Sequence, residues 1–244
     1  MATQKDAHWF ESVARYLGDS YLKYSFTKGT KQEIDFLVEA LPLVGGDRVI
    51  DIGCGPGRHC NELAIRGYKA FGIDISATFI EQASASAVEG ASFRRLDARL
   101  LQDEIELHGK FDVAICLCQG AFGVMLDDSD DLDVLRGAAA VLRPGGLLAL
   151  SAFNSYFSIR HHTDAQFDVD RGVSHERTVL RNPAGEEMET DLWTGCYTPR
   201  ELRMACSIVG LEVVRIYGVE PGKYGLIEPS VDLPEYLLVA RKPL

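Results

Sequence analysis

Between Arg48 and Ile65 a β-branched apolar run passes directly into a turn marked by three glycines and then into a helix-forming stretch, and few folds accommodate that order. Val49, Ile50 and Ile52 have the character of a strand buried on both faces, and Asn61-Glu62-Leu63-Ala64-Ile65 has helical propensity. Gly53, Gly55 and Gly57 stand at alternate positions between them. There the backbone can take dihedrals closed to other residues, and a ligand can approach without meeting a Cβ. A strand-to-helix turn of this kind suits a nucleotide-like ligand. The dinucleotide fingerprint G-x-G-x-x-G also follows a first strand, so two ligand classes compete. Here the glycines read G-x-G-x-G, Arg58 holds the place of the third dinucleotide glycine, and the Asp51 carboxylate sits inside the turn. That carboxylate suits a ligand bearing an ammonium group.

Asp51-Ile52-Gly53-Cys54-Gly55-Pro56-Gly57 resembles the first motif, D-x-G-x-G-x-G, of the class I S-adenosylmethionine-dependent methyltransferases. Four further features fall in that family's order. Tyr68 to Ile73 reads as a second strand ending at Asp74 and followed by Ile75-Ser76, and Ala91 to Leu96 reads as a third, followed by Asp97-Ala98. Phe111 to Leu117 reads as a fourth, and Leu142-Arg143-Pro144-Gly145-Gly146-Leu147 resembles the turn into the fifth. The resemblance spans about residues 45 to 155. It implies an α/β, Rossmann-like, seven-stranded and mostly parallel sheet with an antiparallel seventh strand, and S-adenosyl-L-methionine as cofactor. It also implies that Asp74 grips the ribose hydroxyls and that Asp97-Ala98 contacts the adenine edge. The implied cofactor site comprises Tyr21, Tyr24, Asp51, Gly53, Cys54, Gly55, Asp74, Ile75, Asp97, Ala98, Leu117, Cys118 and Gln119.

Composition adds limits. The chain has 244 residues, enough for one α/β domain with a sizeable core and a modest insertion. A net charge of −11 would repel the phosphates of nucleic acid or of an anionic membrane, so the expected partner is a small-molecule methyl acceptor. No apolar run reaches a membrane-spanning length, and the amino terminus lacks a signal-peptide core, which points to the cytoplasm. The six cysteines form no C-x-x-C pair and no metal-ligand spacing, so reduced thiols and no metal are expected.

The apolar pattern divides the chain into four parts. Residues 1–44 read as an amino-terminal helical lid, with Trp9, Val13, Tyr16 and Leu17 at helical spacing and a second helix carrying Ile34 to Leu41. Residues 45–153 form the cofactor-binding core. Residues 154–197 read as an inserted antiparallel β flap, with extended segments at 167–173, 174–180 and 188–196 and a turn at Asn182-Pro183-Ala184-Gly185. Residues 198–244 complete the core with a helix from Pro199 to Gly210 and a closing hairpin.

Methyl transfer from a sulfonium asks mostly for placement, since holding nucleophile and methyl carbon in line contributes roughly 7–11 kcal/mol. A base is needed only when the acceptor arrives protonated. His162 and His175, on the flap, are the candidates for it. Surface or flap packing is the simpler reading of His161, His162 and His175, ahead of a base and of a metal cluster, and helix capping explains the acidic run Asp127, Asp128, Asp130, Asp131 and Asp133. Arg58 and His59, opening the helix after the glycines, stand where they could meet the cofactor carboxylate. The expected activity is an S-adenosylmethionine-dependent methyltransferase acting on a small molecule. The alternative is a non-catalytic sensor or partner subunit that binds the same nucleoside, because the motif alone does not establish turnover.

Overall fold

The computed structural model describes residues 8–118, 120–125, 127–162 and 164–244. Two helices lead, α1 (Phe10–Leu17) and α2 (Thr30–Ala40), joined by two short 3-10 turns, Gly18–Lys23 and Ser25–Gly29. The sequence reads the joining segment as a loop, and the 3-10 turns show it to be more ordered. There follow β1 (Arg48–Ile52), α3 (Arg58–Ile65), β2 (Lys69–Asp74), α4 (Ala77–Ala85), β3 (Ala91–Arg95), β4 (Phe111–Cys116), α5 (Asp128–Val141) and β5 (Leu142–Asn154). The chain continues through α6 (Ser155–His161), β6 (Gln166–Asp168), β7 (Val173–Arg181), β8 (Glu187–Tyr197), α7 (Pro199–Ile208), β9 (Glu212–Val219) and β10 (Glu235–Arg241).

The main sheet runs β3-β2-β1-β4-β5-β10-β9. Its first five strands are parallel, and β10 lies antiparallel to both β5 and β9. The β-branched runs produce this arrangement because helices cover both faces. Ile50, Ile52, Ile73 and Ile115 are essentially inaccessible, each burial contributing on the order of 1.5–3 kcal/mol. Strand alternation splits the core into two layers. Ile50, Ile52, Tyr236 and Leu238 face the α5 and α7 side, while Val49, Val113, Leu237 and Val239 face α2 and α3.

The insertion between β5 and α7 departs from the sequence reading at its start. A helix, α6, opens it, and Asn154 caps that helix by accepting the N–H groups of Tyr156 and Phe157. The first extended segment shrinks to β6, three residues, because Asp168 turns the chain by accepting the N–H groups of Asp170 and Arg171. The β7–β8 hairpin forms as expected and carries a turn over Asn182–Glu186. At its base β8 joins the main sheet, with Cys196 and Tyr197 opposite Phe153 and Asn154 in β5. A small third cluster, Val13, Leu17 and Leu180 with Tyr16, Tyr21, Tyr24 and Met188, packs the lid onto this hairpin. No described helix is long and apolar enough to cross a membrane.

Candidate active site

The glycine turn is held by its neighbour strand: the N–H groups of Gly53 and Cys54 both donate to the Ile73 carbonyl, at 2.8 and 2.9 Å. Gly53 has a left-handed backbone, φ 76°, and a Cβ there would stand 2.0 Å from the Gly120 carbonyl carbon. Only glycine fits that contact, which brings the loop after β4 against the turn. Two buried carboxylates flank the turn. Asp74, at the end of β2, accepts the Gly55 N–H at 2.8 Å and the Ser76 N–H at 2.7 Å. Burial raises its pKa to about 6 in spite of those bonds. Asp51, at the end of β1, is contacted by the Cys60 thiol, and burial raises its pKa to about 7.

A narrow apolar cleft opens beside Asp74. Its walls include His8, Phe10, Ile75, Leu96, Ala98 and Val124, and its polar edges are Asp74 and Asp97. The Asp97 carboxylate is already engaged by the guanidinium of Arg99, which also reaches Asp130 on α5. Above the turn, Tyr21 packs on Phe79 with ring centroids 4.8 Å apart, close to the place a Gly55 side chain would take.

At the opposite end of the turn lies a cluster of buried charges. Glu33 of α2 is inaccessible and accepts hydrogen bonds from Arg58 (2.9 Å), His59 (2.8 Å) and the Gly222 N–H (3.0 Å). Burial alone would raise the Glu33 pKa, but His59 and Arg58 hold it down at about 2. Burial and the Arg58 charge push His59 down to about 4, so its imidazole is neutral and donates. The Cys118 thiol lies 3.9 Å from Glu33, and Cys118 holds a left-handed backbone, φ 52°, rare for a side-chain-bearing residue. Glu33, His59 and Cys118 are mutually close enough to share a cation, but the Arg58 guanidinium already occupies Glu33.

A family model described as a methyltransferase domain matches residues 49–146. The ubiquinone biosynthesis O-methyltransferase of Ralstonia nicotianae is 27% identical, the alignment covering 86% of this chain and 82% of that protein. The structure of the CcbJ methyltransferase from Streptomyces caelestis superposes with a TM-score of 0.78 at 18% identity, covering 96% of this chain and 99% of the other. A S-adenosylmethionine-dependent methyltransferase from Clostridium acetobutylicum superposes at 0.68 and 15%, covering 97% and 99%. Residues 49–146 are therefore a methyltransferase domain, carried on the fold that S-adenosylmethionine-dependent methyltransferases share. The protein uses S-adenosylmethionine as cofactor and transfers the methyl group to a small-molecule acceptor; a non-catalytic role is not favoured.

The methyltransferase structure gathers Asp51, Gly53, Cys54, Gly55, Asp74 and Ile75 around the turn, with Asp97 and Ala98 on the far wall of the cleft. Leu117 is buried, and Cys118 lies next to Glu33. Gln119 lies outside the described residues. Tyr21 covers the turn, whereas Tyr24 lines a second, open cleft of about 660 Å³ between the lid and the tip of the β7–β8 hairpin, with Ser20, Lys23 and Arg181. The two flap imidazoles are separate. His162 caps α6 in solvent, while His175 Nε2 donates to the Asp191 carboxylate at 2.9 Å and its ring stacks on Trp193. Trp193 in turn packs edge-on against Trp9, whose indole N–H donates to the Val124 carbonyl. The acidic run divides its work. Asp127 caps α5, whereas Asp131 is buried, accepts the Gly123 N–H and the Tyr197 hydroxyl, and so ties the loop after β4 to the flap.

Sequence reasoning missed Glu33, Ser151, Tyr224 and Glu235. One signal was available for Glu235. It precedes Tyr236-Leu237-Leu238-Val239 in phase with Leu237 and Val239, so alternation alone places a carboxylate on a core face.

Proposed function

We propose that this methyltransferase binds the adenine between Ile75, Ala98 and Val124, the ribose at Asp74, and the methionyl ammonium at Asp51 and the glycine turn. The observation that carries this is the pair of buried carboxylates at the adjoining ends of β1 and β2, the second of which lines an apolar slot. Their chemistry fits the cofactor: a carboxylate for a diol, an apolar slot for a base, and a second carboxylate for a cation. When bound, the cofactor supplies an electrophilic methyl group. The chain's own part is to place the acceptor heteroatom in line with that methyl, to exclude water with the lid, and to take up the acceptor's proton. Tyr21 provides the cover over the turn, and Arg58 stands ready to pair the methionyl carboxylate in exchange for Glu33.

The acceptor enters through the open cleft between the lid and the β7–β8 hairpin, and it carries a hydroxyl group. The O-methyltransferase name of the Ralstonia nicotianae relative, aligned over 82% of its length, supports that choice. The net charge of −11 argues against a nucleic-acid acceptor, and six free cysteines accord with work in the cytoplasm. The sequence candidates for the base, His162 and His175, both stand on the flap. Replacing each with Ala while measuring turnover and cofactor binding separately tests that role. A screen of hydroxyl-bearing and amine-bearing small molecules with methyl-labelled cofactor tests the acceptor class: labelling confined to the amines would overturn the hydroxyl reading.

A further inference from the structure

Two polar side chains at the carboxyl ends of the parallel strands end in buried atoms that find no partner among the described residues: Glu235 Oε2 and Tyr224 Oη. Both residues are 4% exposed. Because β10 runs antiparallel to β5, its first residue, Glu235, lies opposite Phe153, at the edge of the sheet where ligands of open α/β folds bind. Alternation turns Glu235 to the α2 and α3 side. There Ser151 of β5 hydrogen-bonds to it and also accepts the Cys118 N–H at 2.8 Å. Tyr224, in the connection between β9 and β10, interacts electrostatically with Cys118, Glu235, Glu33 and Arg58. The site is tied to the lid as well. Tyr21 interacts with Cys118 and Arg58, and its 3-10 turn also carries Ser20 and Lys23, which line the open cleft.

A buried acceptor or donor without a partner costs on the order of 1–3 kcal/mol, so two in one place need an explanation. We propose that Glu235 and Tyr224 form the seat of the acceptor's reacting group, with Glu235 Oε2 as the base and Tyr224 Oη as the group that aims the heteroatom. This rests on the reading of the acceptor as a hydroxyl compound. In the step, a lone pair of the acceptor oxygen forms the bond to the methyl carbon, and the sulfur–carbon bond breaks with its electrons going to sulfur. The hydroxyl proton passes to Glu235. A sulfonium, a neutral hydroxyl and a carboxylate become a thioether, a methyl ether and a carboxylic acid, so charge and atoms balance.

The electrostatics suit that task. Burial raises the Glu235 pKa to about 7, assisted by the Glu33 charge and opposed by Ser151 and Arg58. A base poised near neutral pH is the effective one. The groups facing it are Glu33 from α2, Arg58 from α3, Cys118 after β4, Ser151 from β5 and Tyr224. Of these, Glu33 is held ionised and Arg58 cationic, while burial keeps Cys118 and Tyr224 protonated near neutrality, so Glu235 is the group among them free to change charge there.

The test compares the wild-type enzyme with Glu235→Gln and Tyr224→Phe, both close in shape to the native side chains. Turnover on hydroxyl and amine acceptors, S-adenosylhomocysteine affinity by calorimetry, and carboxyl bands by infrared difference spectroscopy of the protein without cofactor are read in parallel. Expected for Glu235→Gln are a fall in kcat of roughly 10²–10⁴, loss of the acidic limb of the pH profile, and unchanged S-adenosylhomocysteine affinity. Tyr224→Phe should mainly raise the acceptor KM. The infrared arm should show a carboxyl group titrating around neutral pH in the wild type and missing from Glu235→Gln. Full turnover with an unaltered pH profile in Glu235→Gln overturns the proposal, as does a Glu235 already ionised well below neutrality. Loss of turnover on amines alone would instead retain Glu235 as the base and overturn the hydroxyl reading.

Discussion

At the level of single residues, burial of charge organises this protein. Asp51, Asp74, Asp131 and Glu235 are all carboxylates whose pKa values burial raises, and the first two flank the glycine turn. Asp51 and Asp74 were legible in the sequence because each ends an apolar strand at a turn. The partners of Glu235 and Glu33 were not: strand alternation puts Glu235 on a core face and Glu33 sits in a mixed polar helix, and neither pattern shows what tertiary packing brings to the carboxylate. For Asp74→Ala, calorimetry should show S-adenosylhomocysteine binding weakened roughly 10-fold to 100-fold in a protein that stays folded, the loss of hydrogen bonds to a charged group being about 1.5–3 kcal/mol. An unchanged affinity would remove Asp74 from the ribose. The raised pKa of Glu235 has a consequence for stability with a definite sign. Its folded value, about 7, exceeds the reference value of 4.5, so its contribution is fully present below 4.5 and is lost as the pH rises through 7. Glu235→Gln stays neutral throughout. Thermal denaturation should therefore show the variant gaining on the wild type between pH 5 and pH 8, by on the order of 2–3 kcal/mol or several degrees in Tm. A pH-independent difference between the two would contradict the burial of an ionising Glu235.

At the level of elements, the strands and helices of the core follow from period and punctuation, whereas the insertion depended on local hydrogen bonds that composition does not show. Asn154 starts α6 and Asp168 ends β6, each through side-chain acceptance of backbone N–H groups, and both displace the simple succession of extended segments expected from the sequence. The lid and flap are separate in sequence but share one small cluster, in which Leu180 from β7 meets Val13 and Leu17 from α1. The Tyr16 hydroxyl adds a bond to the Glu186 carbonyl in the hairpin turn. Leu180→Ala should cost about 2 kcal/mol, the low end for a buried leucine because this cluster is small. It should also expose the lid to limited proteolysis and raise the acceptor KM more than it changes S-adenosylhomocysteine affinity. If proteolysis and KM are both unaffected, the lid does not depend on the hairpin for its position.

At the level of the whole molecule, one end of the sheet carries two kinds of surface. The ends of β1 and β2 present the glycine turn and its carboxylates, while the ends of β5 and β10, with the lid and flap above them, present the polar cluster around Glu235. In the reading proposed above, cofactor and acceptor meet from opposite sides over the end of β4, where Cys118 adopts its left-handed backbone. This division accounts for how far the sequence could be read: the proposed cofactor side follows the ends of β1, β2, β3 and β4 in chain order, each marked by its own short motif, and the proposed acceptor side is assembled from α2, β5, β10 and the connection before β10. The measurement that bears most directly on it is single-turnover transfer from methyl-labelled S-adenosylmethionine to a panel of small hydroxyl compounds, with labelled product and S-adenosylhomocysteine quantified together. The account predicts that they appear in equal amounts and that Glu235→Gln, binding S-adenosylhomocysteine as the wild type does, forms both at a rate lower by about 10² or more. Tight S-adenosylhomocysteine binding by both proteins, with no methyl group delivered to any acceptor or with equal rates of delivery, would contradict it.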